Sequence, residues 1–133
     1  MQSVFRHSRE EIWSRIMTPE SLKFICRPRL YFTAEAGDTV KEKWQHGDTA
    51  QLKVWGYECL PFGNHNIHHE RVDPQQFGIQ SREKGSLVQI WRHRITMQET
   101  EPGRTRYTDQ MVIYAGMLTR LVAWWSMGLY KHR

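Results

Sequence analysis

Apolar and polar residues alternate with a period of two through much of the second half of the chain. In residues 87–98 (LVQIWRHRITMQ) the alternation puts Gln89, Trp91, His93, Ile95 and Met97 on one face. Residues 101–103 (EPG) read as a turn, and 105–115 (TRYTDQMVIYA) as a second strand. That strand carries Thr105, Tyr107, Asp109, Met111 and Ile113 on one face. From about Met117 to Tyr130 the period becomes helical, with Leu118, Leu121, Val122, Trp125 and Leu129 forming a broad apolar stripe. A hairpin feeding an amphipathic helix predicts a curved sheet with the helix across its concave face. Leu121, Val122 and Trp125 are then expected to be mostly buried, with room for a cavity between the two layers.

The first half reads as mixed structure. Residues 2–6 (QSVFR) are a short first strand. Ser8 starts a helix, and Glu11, three residues on, completes the capping-box pattern. Ile12, Trp13, Ile16 and Met17 recur at helical spacing. Pro19 opens a second short helix that runs to about Cys26, where Arg27-Pro28 stops it. LYFTA (30–34) reads as a strand, and TVKEKW (39–44) as a strand or a loop. His46-Gly47-Asp48 is a turn, 49–59 a strand, and Leu60 to Asn64 a turn. Residues 65–73 and 77–83 are two further strands, the second followed by a turn at Lys84-Gly85. The class is therefore α+β, with an antiparallel sheet made of consecutive hairpins.

This order of elements, together with three stretches of sequence, resembles the helix-grip fold of the START-like superfamily, also called SRPBCC. SREEIWSRIMTPESLKFI (8–25) is similar to that superfamily's link from the first strand into two short helices. The segment from Trp44 to Asp73 resembles the W-x-x-G and P-x-G-x-H stretch of its ligand-binding members. The segment from Ile90 to Trp125 resembles their W-x-H, G-x-T-x-Y-x-D and final Gly pattern. The first strand is shorter than is usual there. The resemblance implies one START-like domain over residues 1–133: a curved antiparallel sheet wrapped around a long C-terminal helix, with two short helices after the first strand. It also implies a hydrophobic ligand pocket. It implies no reaction, because the superfamily holds binders, transfer proteins, cyclases and hydroxylase domains.

Composition narrows the partners. The chain has 133 residues, 39% hydrophobic and 25% charged, as expected of one globular domain. The net charge of +5 raises the question of nucleic acid or anionic membrane. Acids are interleaved with the Lys and Arg residues, so a solvated basic surface is the better reading and no nucleic-acid partner is expected. MQSVFRHSREE lacks the apolar core of a signal peptide, which points to the cytoplasm and reduced thiols. No apolar run approaches the roughly 18 residues of a spanning helix, so no integral membrane contact is expected. Nucleophile elbows, phosphate loops and dinucleotide fingerprints are absent from the sequence, and no cofactor is expected. Monomer and homodimer both remain open.

Among candidate chemical groups, His93 and Asp109 come first. If Thr100 pairs with Arg104 across the hairpin, Ile95 faces Asp109 and His93 faces Met111. His93 and Asp109 then become diagonal neighbours. A buried carboxylate needs a partner, and an imidazole so held can orient a ligand or act as a general base. The pair's first expected duty is structural or ligand-orienting. His65 and His69 share a strand face and His68 opposes them; without further ligands at metal-site spacing, all three read as polar surface and no metal is expected. Cys26 and Cys59 read as small core residues. Six tryptophans provide bulk core or the wall of an apolar cavity, with Trp91 and Trp125 the best wall candidates. The expected ligand site is Trp91, His93, Tyr107, Asp109, Met111 and Trp125.

Three functions compete. The leading one is binding of a hydrophobic small molecule between sheet and helix. The second is a cyclase or dehydratase acting through His93 and Asp109, with Tyr107. The third is association with a lipid surface through Trp124 and Trp125 beside Lys131-His132-Arg133.

Overall fold

The computed structural model describes residues 1–27, 29–34, 42–57 and 59–130, and the side chains of all of these but Leu129 and Tyr130. In chain order the elements are β1 (Gln2–Phe5), α1 (Arg9–Ile16), α2 (Pro19–Cys26), β2 (Leu30–Ala34), β3 (Thr49–Gly56), β4 (Leu60–Asp73), β5 (Gly78–Gly85), β6 (Ile90–Glu101) and β7 (Arg104–Tyr114). A short 3₁₀ turn, Gly116–Leu118, leads into α3 (Thr119–Tyr130). The strands form one antiparallel sheet in the order β1-β7-β6-β5-β4-β3-β2. β1 alone leaves the meander: it crosses to β7, from Gln2↔Thr108 to Phe5↔Thr105. The helices α1 and α2 therefore carry the chain from one edge of the sheet to the other. Residues 39–41 of the expected strand or loop lie outside the described residues.

The helix starts follow their sequence signals. Ser8 Oγ accepts the Glu11 N–H at 3.2 Å, capping α1. The Glu11 carboxylate does not complete the box; it turns outward to Arg15 at 3.0 Å and His7 at 3.1 Å. Pro19 opens α2 and is itself buried.

Two turns lie elsewhere than the breakers suggested. Leu60 to Asn64 is not a turn but the first part of β4. Pairing passes from Val54↔Gly63 to Trp55↔Pro61, so Phe62 is an extra residue in a bulge. A bulge is where a strand accommodates Pro and a Gly at φ +89°, as Gly63 has here. Likewise β5 runs through Lys84-Gly85 instead of turning there.

The β6–β7 hairpin reaches the expected register by a different route. Glu101 pairs with Arg104 around Pro102-Gly103, and Thr100 is bulged, so Glu99 pairs with Thr105. The compensation places Ile95 opposite Asp109 and His93 opposite Met111.

The close-packed core lies at the end of the sheet covered by α1 and α2. Met17, Trp44, Leu52, Ile67, Ile79, Ile95, Met97 and Tyr107 form it, with Ile12, Trp13 and Leu22 packed from the helices. The other end lies under α3, and here the expectation of a buried stripe needs correction. Val122 and Trp125 are half-buried, whereas Leu121 is 60% exposed; among the described α3 side chains only Ser126 is fully buried. The physical reason is that α3 stands off the sheet across a cavity, so its stripe faces that space instead of packed side chains. Trp124 and Met117 are exposed. Among the described residues no helix is long and apolar enough to cross a membrane.

Candidate functional site

The cavity between α3 and the sheet has a volume of about 370 Å³. That lies within the range of small-molecule pockets, which starts near 300 Å³. Its wall is mostly apolar: Phe32, Val54, Phe62, Val88 and Trp91 from the sheet and its loops, and Leu121, Val122 and Trp125 from the helical side. The polar members of the wall include Asn64, His65, Glu83 and Ser86. Gly56 gives Phe62 its place, because a Cβ there would collide with the Phe62 ring.

A diagonal row of ionisable side chains, one from each of four neighbouring strands, starts at the cavity wall with His65 and Glu83 and continues behind it. His65 of β4 bonds Glu83 of β5, Nε2 to Oε2, at 2.8 Å. Glu83 Oε1 lies 4.0 Å from His93 Nδ1 on β6. His93 Nε2 in turn bonds Asp109 Oδ1 on β7. The register explains the line. His65 faces Gly85, Glu83 faces Trp91, and His93 faces Met111, so each member meets the next one diagonally. On one side of the row stand the core residues Ile67, Ile79, Ile95 and Tyr107; on the other stand Gly85 and Trp91. The His65–Glu83 end of the row thus lies between packed core and cavity.

Each member of the row has reason to be there. Burial pushes the Glu83 carboxyl up, but the hydrogen bond from His65, the Ser81 hydroxyl at 3.0 Å and, in the acid range where a carboxyl titrates, the positive charge of His65 and His93 outweigh it. Glu83 is held below the ordinary glutamate value and is a carboxylate. Asp109 is 2% exposed and His93 is its partner. A carboxylate buried so deeply is tolerable only when paired in this way.

The comparisons with known proteins fit this architecture. Residues 3–133 match the family described as Domain of unknown function (DUF8410). The chain belongs to that family. No curated protein matches it. Among solved structures, this DUF8410 member is similar to the X-ray crystal structure of protein CV1439 from Chromobacterium violaceum, with a TM-score of 0.67 and 11% identity. The alignment covers 98% of this chain and 90% of that one. At such identity the likeness concerns the fold.

Of the residues singled out from sequence, Trp91 and Trp125 stand on the cavity wall, as does Cys26. His93, Asp109 and Met111 share the inward face of the sheet but stand behind the wall, and Tyr107 belongs to the packed core. The reason is the tilt of the row: it moves away from the cavity by one diagonal step per strand. His65 and Glu83 reach the cavity instead. His65 is therefore not a surface residue, and nor is His69, which is 4% exposed and stacks on Trp44 with ring centroids 4.5 Å apart. His68 does point the other way and bonds Thr49 Oγ1 at 2.8 Å. Cys26 is buried as expected, but Cys59 is exposed, because it sits in the β3–β4 turn. The missed residue, Glu83, carried one weak signal: it shares strand parity with Ile79 and Ser81.

Proposed function

We propose that this protein binds a hydrophobic small molecule in the cavity between the sheet and α3. The observation that carries the proposal is the cavity of about 370 Å³, apolar on most sides and bordered by the His65–Glu83 end of a paired histidine–carboxylate row. An apolar wall with a few convergent polar groups is the usual form of a ligand site. The order of elements supports a helix-grip arrangement of the START-like kind, in which sheet and terminal helix enclose the ligand. Native mass spectrometry of freshly purified protein tests the binding. The expected result is a small-molecule mass increment that is lost on denaturation. A bare chain that also stays bare with an added uncharged apolar probe contradicts it.

One observation favours a second reading, an acid–base enzyme of the cyclase or dehydratase type. The row from Asp109 to His65 links a buried carboxylate to the cavity through alternating imidazole and carboxylate groups. Under that reading His93→Gln abolishes turnover of a bound substrate while its binding is unchanged. A bound compound recovered unaltered counts against it.

A further inference from the structure

Glu83 is a carboxylate and has no proton to give, so the bond between it and His65 is donated by His65 Nε2–H. In the neutral ring this leaves Nδ1 as a hydrogen-bond acceptor. Nδ1 has no hydrogen-bond partner among the described residues. It sits over Gly85, where a Cβ would come within 2.7 Å of it, so the missing side chain keeps its place open. Trp91 meets the His65 ring edge-on, with centroids 6.2 Å apart and planes at 84°. The indole Nε1–H of Trp91 is buried and has no hydrogen-bond partner among the described residues. His65 and Gly85 both line the cavity, so its wall carries an unused acceptor at His65 Nδ1.

We infer that this part of the wall recognises a neutral hydroxyl group on an otherwise apolar, flat ligand, with His65 Nδ1 accepting the hydroxyl proton in a hydrogen bond and Glu83 fixing the ring. The inference rests on the cavity being a binding site. A ligand carboxylate has no proton for Nδ1 and is set against the charge of Glu83. A ligand ammonium loses its hydration in an apolar space at high cost. Flatness follows from the rings of Phe32, Phe62, Trp91 and Trp125 around the space.

The test compares three probes, naphthalene, 2-naphthol and 2-naphthoate, by calorimetric or fluorescence titration of the intact chain. An apolar cavity without a polar partner favours naphthalene, because burying an unpaired hydroxyl is costly. The inference reverses that order: 2-naphthol binds about tenfold more tightly than naphthalene, the size of one net hydrogen bond, and 2-naphthoate binds most weakly. His65→Phe restores the preference for naphthalene. A measurement on the unsubstituted chain removes any dependence on that variant's folding: the ¹⁵N resonance of His65 Nδ1 moves with 2-naphthol and not with naphthalene. Naphthalene binding as tightly as 2-naphthol, or a resonance that 2-naphthol leaves in place, overturns the hydroxyl assignment and leaves the cavity reading standing. Binding of none of the three probes overturns both.

Discussion

Glu83 accepts a hydrogen bond from His65 at 2.8 Å across a diagonal of the β4–β5 ladder, although Ile67 is its direct neighbour. Both side chains are nearly buried, with 14% and 12% of their surfaces exposed. Removing the carboxylate leaves the His65 N–H without its acceptor and the Ser81 hydroxyl without its own. Glu83→Ala is therefore expected to lower unfolding stability by about 2 kcal/mol. Urea unfolding checks this, with a lower midpoint at unchanged slope as the expected result. An unchanged midpoint would show that the row contributes nothing to the fold.

His93 and Asp109 are expected to act as a unit. Asp109→Asn alone is expected to cost about 1–3 kcal/mol, since the carboxylate is buried and bonded to the imidazole. A double-mutant cycle with His93→Gln is expected to show coupling of about 1 kcal/mol or more. Additive losses would mean that the two do not interact in solution.

His69 gives stability a pH dependence. Burial lowers its pKa below the ordinary value of 6.5, against the opposing pull of Glu83 and Asp48. The unfolded histidine gains a proton as pH falls below about 6.5, while the folded one resists it. The unfolded state then binds more protons, so stability from this group is complete above about pH 6.5 and is lost as pH falls from there. Glu83, with its lowered carboxyl, adds a loss only at lower pH, where unfolded glutamates protonate. Urea midpoints are expected to fall between pH 7.5 and 5.5, and His69→Phe is expected to flatten that interval. Equal slopes in both proteins would contradict the assignment.

Leu121→Asp separates the cavity from a packed helix interface. An apolar helix stripe ordinarily means that a charge there costs several kcal/mol. Leu121 is 60% exposed on the cavity wall, so the expected cost is below about 1 kcal/mol. The substitution is expected instead to weaken binding of an uncharged apolar probe. A large drop in melting temperature would show that Leu121 packs against the sheet with no cavity between them.

The strand alternation made the hairpin, its register and the His93–Asp109 contact legible, because a period of two fixes faces once one pair is aligned. A compensating error helped: the three-residue loop assumed there and the actual two-residue turn with a bulge at Thr100 give the same downstream pairing. The β4 start was illegible because Pro61 and Gly63 look like turn residues, and only pairing reveals a bulge. Glu83 was hidden for a different reason. Both faces of β5 are polar near its end, Ser81 and Glu83 on one and Gln80, Arg82 and Lys84 on the other, so pattern cannot tell inside from outside. The exposure of Leu121 was hidden because periodicity identifies an apolar face but not whether it meets side chains or empty space.

A ligand cavity between sheet and α3 takes up the uncharged fluorophore N-phenyl-1-naphthylamine, and fluorescence titration reads that binding. The chain and a Val122→Trp variant, which places a larger ring in the cavity, are compared at matched thermal stability. Saturable one-to-one binding to the unsubstituted chain is expected, with quenching of tryptophan emission, and binding about tenfold weaker or worse in the variant. No saturable binding, or equal binding to both proteins, would contradict it.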